Sequence, residues 1–188
     1  VTETNEGTIV FRLHNTTASV NVSSFTTGNV RTINWTGLAD ATYTFNVTVN
    51  DTAGNSNTTA SRTVRVDRTP PIVFDSNITS PASGTNYSDV KISLNVSVVD
   101  VSTAVDTVFF NVTNSSGAQQ NATLTATRVG TSNNYSTTLK TSDSPDGVYN
   151  ITVFANDTAG NLNNSAKVHT LRFDNTVPIV NISSLSLG

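Results

Sequence analysis

Asparagine is the residue type in this chain most open to chemistry. Of its 24 asparagines, 17 are followed two positions later by Ser or Thr: Asn15, Asn21, Asn34, Asn46, Asn50, Asn57, Asn77, Asn86, Asn95, Asn111, Asn114, Asn121, Asn134, Asn150, Asn156, Asn163 and Asn181. That tripeptide is the acceptor for an N-linked glycan. With 55 Ser and Thr among 188 residues, random placement gives about seven, so the excess needs a cause. One cause is bland: residues i and i+2 of a strand share a face, and a solvent face written in Asn and Thr makes the tripeptide automatically. Asn57, Asn86, Asn114 and Asn163 are expected in loops, where alternation forces nothing. They favour real glycosylation, which hydrates and shields a β-surface that carries little charge.

Carboxylates offer a second chemistry. Asp51, Asp67, Asp157 and Asp174 fall towards the expected domain ends, and oxygen-rich junctions can hold a hard cation such as calcium. The competing reading assigns Asp51 and Asp157 to their own loops, through side-chain bonds to backbone N–H groups. No other cofactor is expected. Catalysis lacks its residues: His14 points outward from a strand beside an acceptor, His169 lies near the start of a final strand, and no HExxH, GxSxG or phosphate-loop pattern occurs. No catalytic residue is assigned and the chain is read as not an enzyme. Trp35 reads as a core or half-buried strand residue more readily than as a sugar-stacking platform.

Composition narrows the partners. A net charge of -3 with ten scattered Lys and Arg gives no electrostatic footprint for nucleic acid or anionic lipid. No run approaches the ~18 apolar residues of a membrane-spanning helix, so direct membrane insertion of this segment is not expected. The opening Val-Thr-Glu-Thr-Asn-Glu-Gly lacks the parts of a signal peptide, implying either prior processing or a section of a longer chain. Cysteine is absent, which decides little about compartment. A surface of hydroxyls and amides where a cytosolic protein uses Lys and Glu is an extracellular style.

The elements that position these residues come from an internal repeat. Asn-Asp-Thr-Ala-Gly-Asn occurs at residues 50–55 and again at 156–161, a period near 106. Before it, Tyr43, Phe45, Val47 and Val49 correspond to Tyr149, Ile151, Val153 and Ala155, and period-two alternation puts each set on one buried face. The hexapeptide is a hairpin loop, with Gly54 and Gly160 supplying a positive φ. After it, Val64 and Val66 match Leu171 and Phe173. Upstream, Ile9, Phe11 and Leu13 match Val108, Phe110 and Val112. Prolines in Thr-Pro-Pro-Ile-Val (69–73) and Thr-Val-Pro-Ile-Val (176–180) end one domain and start the next.

About seven strands are expected in the complete copy, near 72–79, 90–99, 107–113, 121–128, 134–140, 148–156 and 167–174, with no helical period. That argues tandem Greek-key β-sandwiches of immunoglobulin type. Tyr43 and Tyr149, each three residues after an Asp, stand where such sandwiches place a tyrosine whose hydroxyl bonds back to the preceding corner. Residues 1–70 read as an incomplete domain that lacks its first two strands, and 71–178 as a complete one. Residues 179–188 are the first strand of a following domain or a strand donated to a neighbouring subunit through Ile179, Val180, Ile182, Leu185 and Leu187. A section cut from a long repeat protein accounts for the same pattern.

Asp-Gly-Val-Tyr-Asn-Ile-Thr-Val (146–153), the Ala-Gly-Asn turns, Asp-Arg-Thr-Pro-Pro-Ile-Val (67–73) and Ile-Thr-Ser-Pro-Ala-Ser-Gly (78–84) carry a family likeness. The chain resembles the immunoglobulin-like (Ig-like, Big-like) repeats of bacterial and archaeal cell-surface proteins. Dense acceptors without cysteine lean to an archaeal glycosylated surface or filament protein. The resemblance implies a non-catalytic stalk, adhesin, surface-layer or filament component outside the cell, partnered by copies of itself or adjacent repeats and bearing N-linked glycans. The alternative is an adhesin or carbohydrate-binding accessory module of a larger secreted protein, for which neither an exposed aromatic row nor long loops are evident.

Overall fold

The computed structural model describes residues 5–26, 30–120, 123–163 and 168–182, and the chain divides into two units, residues 1–69 and 70–188. Among the described residues there is no α-helix. Val, Ile, Phe and Tyr alternate with Thr, Ser and Asn along the chain, a pattern that suits a pleated surface buried on one side.

The second unit comprises β6 (Ile72–Ser80), β7 (Asn86–Tyr87), β8 (Lys91–Val99), β9 (Val105–Asn114), β10 (Leu124–Arg128), β11 (Asn134–Lys140), β12 (Gly147–Asp157), β13 (Leu162–Asn163) and β14 (Val168–Phe173). One layer runs β6-β8-β11, and the other runs β9-β12-β14 with β7 parallel on its outer edge. Strand β10 serves both: Leu124 to Ala126 pair with β9, and Thr127 and Arg128 pair with β11. The layers close on one core. Ile92, Leu94, Val96 and Val98 share it with Val108, Phe110, Val112, Tyr149, Ile151, Val153, Ala155, Leu171 and Phe173. Burying each larger side chain contributes about 1.5–3 kcal/mol, so this shared core holds the two layers together.

The first unit comprises β1 (Glu6–Asn15), β2 (Ser19–Thr26), β3 (Ala41–Asp51), β4 (Ser56–Thr58) and β5 (Arg62–Val66), in one sheet ordered β2-β1-β3, with β4 and β5 both pairing β3. Its register repeats that of the β9-β12-β14 layer. Ile9 faces Val49, Phe11 faces Val47 and Leu13 faces Phe45, as Val108 faces Ala155, Phe110 faces Val153 and Val112 faces Ile151.

The copies differ over residues 30–39, where the counterpart of β11 is expected and no strand forms. Strand β11 exists because it ladders onto β8, pairing Tyr135 with Val96 and Leu139 with Ile92. The described residues of the first unit hold no counterpart of β8, so this backbone has no ladder to join. Trp35 is therefore not the strand residue expected. It lies half-buried on Phe45, with ring centroids 5.9 Å apart, and its indole N–H donates to Asn21 Oδ1 at 3.3 Å.

Candidate functional site

The repeated hexapeptide folds identically in both copies. Asp51 Oδ1 accepts from the N–H groups of Ala53 and Asn55 at 2.9 and 2.8 Å, and its Oδ2 accepts from the Asn55 amide at 2.6 Å. Asp157 does the same with Ala159, Asn161 and the Asn161 amide, at 2.8, 2.9 and 2.8 Å. Gly54 and Gly160 take φ of 89° and 90°, which lets the chain turn back to the strand. The Asn55 amide and N–H hold the Asp51 carboxyl below its usual range. Burial pushes Asp157 up, but the Asn161 amide and the loop N–H groups outweigh it and the net shift is down.

Of the other two Asp residues proposed for calcium, Asp67 Oδ1 accepts from Thr69 N–H at 3.0 Å, and Asp174 is exposed with its own N–H on Tyr87 carbonyl. In the second unit the acidic neighbour of Asp157 is Asp100, within 4.8 Å, which the sequence reading passed over. Asp100 follows β8 directly in the chain, and only pairing of the strands brings its loop beside the β12 hairpin.

Both tyrosine corners form. Tyr43 O–H donates to Ala39 carbonyl at 2.9 Å, and Tyr149 O–H donates to Pro145 carbonyl at 2.6 Å. The Asp residue of each corner is also engaged. Thr69 hydroxyl donates to Asp40 and Thr176 hydroxyl to Asp146, and each bond holds its carboxyl low. His14 is half-buried on β1, and His169 Nδ1 lies 3.2 Å from Pro81 carbonyl.

The acceptor asparagines sort by what their amides do. Asn21, Asn34, Asn57, Asn86, Asn134 and Asn181 are exposed. Asn15 and Asn114 are matched turn residues whose Oδ1 accepts two loop N–H groups each. Asn95, Asn111, Asn150 and Asn156 are half-buried on strands, and Asn77 lies on β6. Asn46, Asn50 and Asn163 have Nδ2, the atom a glycan attaches to, already donating to Ser61, Thr8 and Pro71 carbonyl. Asn121 lies outside the described residues. The four acceptors expected in loops are instead on β4, β7 and β13 and at the end of β9. Three of those elements have only two or three residues, too short for a periodic pattern to reveal, and too short for alternation to account for their acceptors.

The inner sheet faces of the two units are alike along β1, where Ile9, Phe11 and Leu13 are buried as Val108, Phe110 and Val112 are, and differ at the β5 edge. In the second, Leu171 on β14 is 1% exposed; Val64, its counterpart on β5, is 43% exposed. Over the end of the first sheet a cavity of about 590 Å³ opens on Ile9, Phe11, Val47, Val49, Arg31 and Asn57. A complementary feature lies after β14, where Val177, Ile179, Val180 and Ile182 are 78, 85, 85 and 85% exposed and outside any strand. Leu185 and Leu187, the other two polymer contacts proposed, lie outside the described residues.

Two sheets in Greek-key order with a tyrosine corner define an Ig-like fold. Residues 2–68 match a family model described as Bacterial Ig-like domain, and residues 133–187 match one described as Bacterial Ig-like domain (group 3). Ig-like domains are in general structural, non-enzymatic modules, and the bacterial ones stand typically on cell-surface or secreted proteins. No curated protein matches the chain. Among solved structures it is similar to the fibronectin(III)-like modules of Clostridium thermocellum CbhA, at 14% identity and a TM-score of 0.40, over 93% of this chain and 82% of that one. No helix among the described residues is long and apolar enough to cross a membrane.

Proposed function

We propose that this chain is a structural, non-catalytic building block of an extracellular, N-glycosylated surface filament, stalk or surface layer, archaeal in style, whose copies join head-to-tail by strand donation. The observation that carries the reading is a pair of features: a cavity over Ile9, Phe11, Val47 and Val49 at one end of the first sheet, and exposed apolar residues outside any strand after β14. A strand added to an open sheet is a recurrent way to join chains. A head-to-tail contact that does not close on itself grows a fibre. The exposed acceptors Asn21, Asn34, Asn86, Asn134 and Asn181 support a glycan coat, and the low net charge supports neither nucleic acid nor lipid as partner.

The test uses material from the native source. Its mass is measured before and after chemical deglycosylation, and the same sample is imaged by negative-stain microscopy. The reading expects a mass loss of several glycans and linear particles that shorten when the apolar segment is mutated. Unmodified, monomeric material sinks it.

A further inference from the structure

Asn57 and Asn163 are the same residue of the repeat, two positions after the shared hexapeptide and in the same register: Asn57 pairs with Val49, Asn163 with Ala155. In the second unit the Asn163 amide donates to the carbonyl of Pro71 at 2.6 Å. That bond pins the start of β6, where Pro71 and Val73 are buried and Val73 joins the core that contains Val153 and Ala155. The pinned segment is Thr69-Pro70-Pro71-Ile72-Val73. In the first unit the equivalents of Val153, Ala155 and Asn163 are Val47, Val49 and Asn57, and all three line the open cavity. The chain also carries a second copy of the pinned segment, Thr176-Val177-Pro178-Ile179-Val180, whose Ile179 and Val180 are exposed.

We propose that the cavity over Ile9, Phe11, Val47 and Val49 is the seat for Pro178-Ile179-Val180 of a second copy of this chain, with the Asn57 amide donating to the Pro178 carbonyl. This rests on the strand-donation reading and specifies its contact. The second unit supplies the template: the same three residue types meet an Asn amide at the same register there. The apolar lining suits Val180, the counterpart of the buried Val73, and the exposed amide of Asn57 is a donor waiting for a backbone carbonyl. The seat also conflicts with one acceptor, because a glycan on Asn57 would stand in the cavity mouth. Asn57 in assembled material is therefore unmodified, even though it is exposed.

The absence of cysteine makes a crosslinking test clean. The full chain is made without glycans as Asn57→Cys plus Pro178→Cys, with Asn57→Cys plus Ser19→Cys as the control, since Ser19 is exposed on β2. Folding of each is checked by circular dichroism, and the substituted positions 57, 178 and 19 are all solvent-facing. Mild oxidation is expected to give a ladder of disulfide-linked multimers from the first variant and at least tenfold less from the control. In sedimentation, Asn57→Ala is expected to weaken self-association about tenfold, the worth of one lost hydrogen bond, and Val180→Asp more. If the unmodified chain associates but neither the ladder nor the Asn57→Ala effect appears, the seat is wrong and strand donation through another contact stands. A disulfide that forms within single chains overturns the second-copy occupant. A chain that stays monomeric at high concentration overturns both.

Discussion

Among the described residues, the two copies present the same sheet with and without a second sheet opposite. Register, hairpin and tyrosine corner are held in common, down to paired bonds such as Ala53 and Ala159 N–H to their Asp at 2.9 and 2.8 Å. Yet Val64 is exposed where Leu171 is sealed, and a cavity opens where β6 packs in the second unit. Local hydrogen bonding is thus enough to shape the β1-β3-β5 sheet and to bury Ile9, Phe11, Leu13 and Tyr43, whereas the β5 end of its inner face, at Val64, stays exposed without a sheet opposite. The lesson is that sheet geometry in this repeat is set within the sheet, and most of the apolar stabilisation comes from between sheets.

The strongest way to break that comparison is to remove the matched phenylalanines. Phe110→Ala hollows a closed core and is expected to cost about 3–5 kcal/mol. Phe11 is itself buried, 7% exposed and edge-on to Phe25, but it borders the cavity, so Phe11→Ala widens a space that solvent already reaches and is expected to cost less than Phe110→Ala, about 2–3 kcal/mol. Urea titrations of the full chain check this: fluorescence of Trp35, the single tryptophan, reports the first unit, and circular dichroism reports both. Equal losses mean that the cavity beside Phe11 gives no relief and the two phenylalanines are packed alike.

A finer probe is the tyrosine corner, where the copies should agree. Tyr43→Phe and Tyr149→Phe each delete one hydroxyl-to-carbonyl bond, expected to cost about 1 kcal/mol apiece. Tyr149 is the tighter case, with a 2.6 Å bond and its ring stacked 4.4 Å from Phe173. The same titrations read both, and a difference above about 1 kcal/mol contradicts the equivalence of the corners.

The smallest effect is acid sensitivity. Asp40, Asp51, Asp146 and Asp157 all have carboxyls held below the ordinary 3.8, so the folded state binds these protons less readily than the unfolded chain. Their stabilisation is complete above pH 3.8 and is lost as pH falls through the lower folded values. Thermal midpoints are expected to be flat from neutral down to about pH 4 and to drop below it. Asp157→Asn should flatten the drop in the second unit, and a drop that begins well above pH 4 would contradict the assignment.

Much of this was legible from residue order. Alternation in 43–49 and 149–155 places the buried faces, the hexapeptides announce their hairpins, and Tyr43 and Tyr149 sit at the corners anticipated. What the sequence hides is whatever depends on a second strand. Residues 30–39 carry strand-forming Val30, Ile33 and Trp35 but form none for want of a ladder partner. Strand β10 divides its five residues between two layers, a division its pattern does not announce. The Asn163 to Pro71 bond joins positions 92 apart, and only the comparison of Asn57 with Asn163 reveals its meaning.

The parallel pairing of β7 with β14 carries a mechanical consequence. Asn86 and Tyr87, near the start of the second unit, lie alongside Arg172 and Phe173 at its end, and the bonds continue through Arg172 N–H to Thr85 and Asp174 N–H to Tyr87. A pull on the start of the unit meets β6 and its ladder to β8 first; what then reaches β7 against β14 acts along two parallel strands and loads their hydrogen bonds together, in shear. An antiparallel hairpin under the same pull would peel open one bond at a time. The short β7 pairing is thus a clasp that gives way as one piece, behind β6.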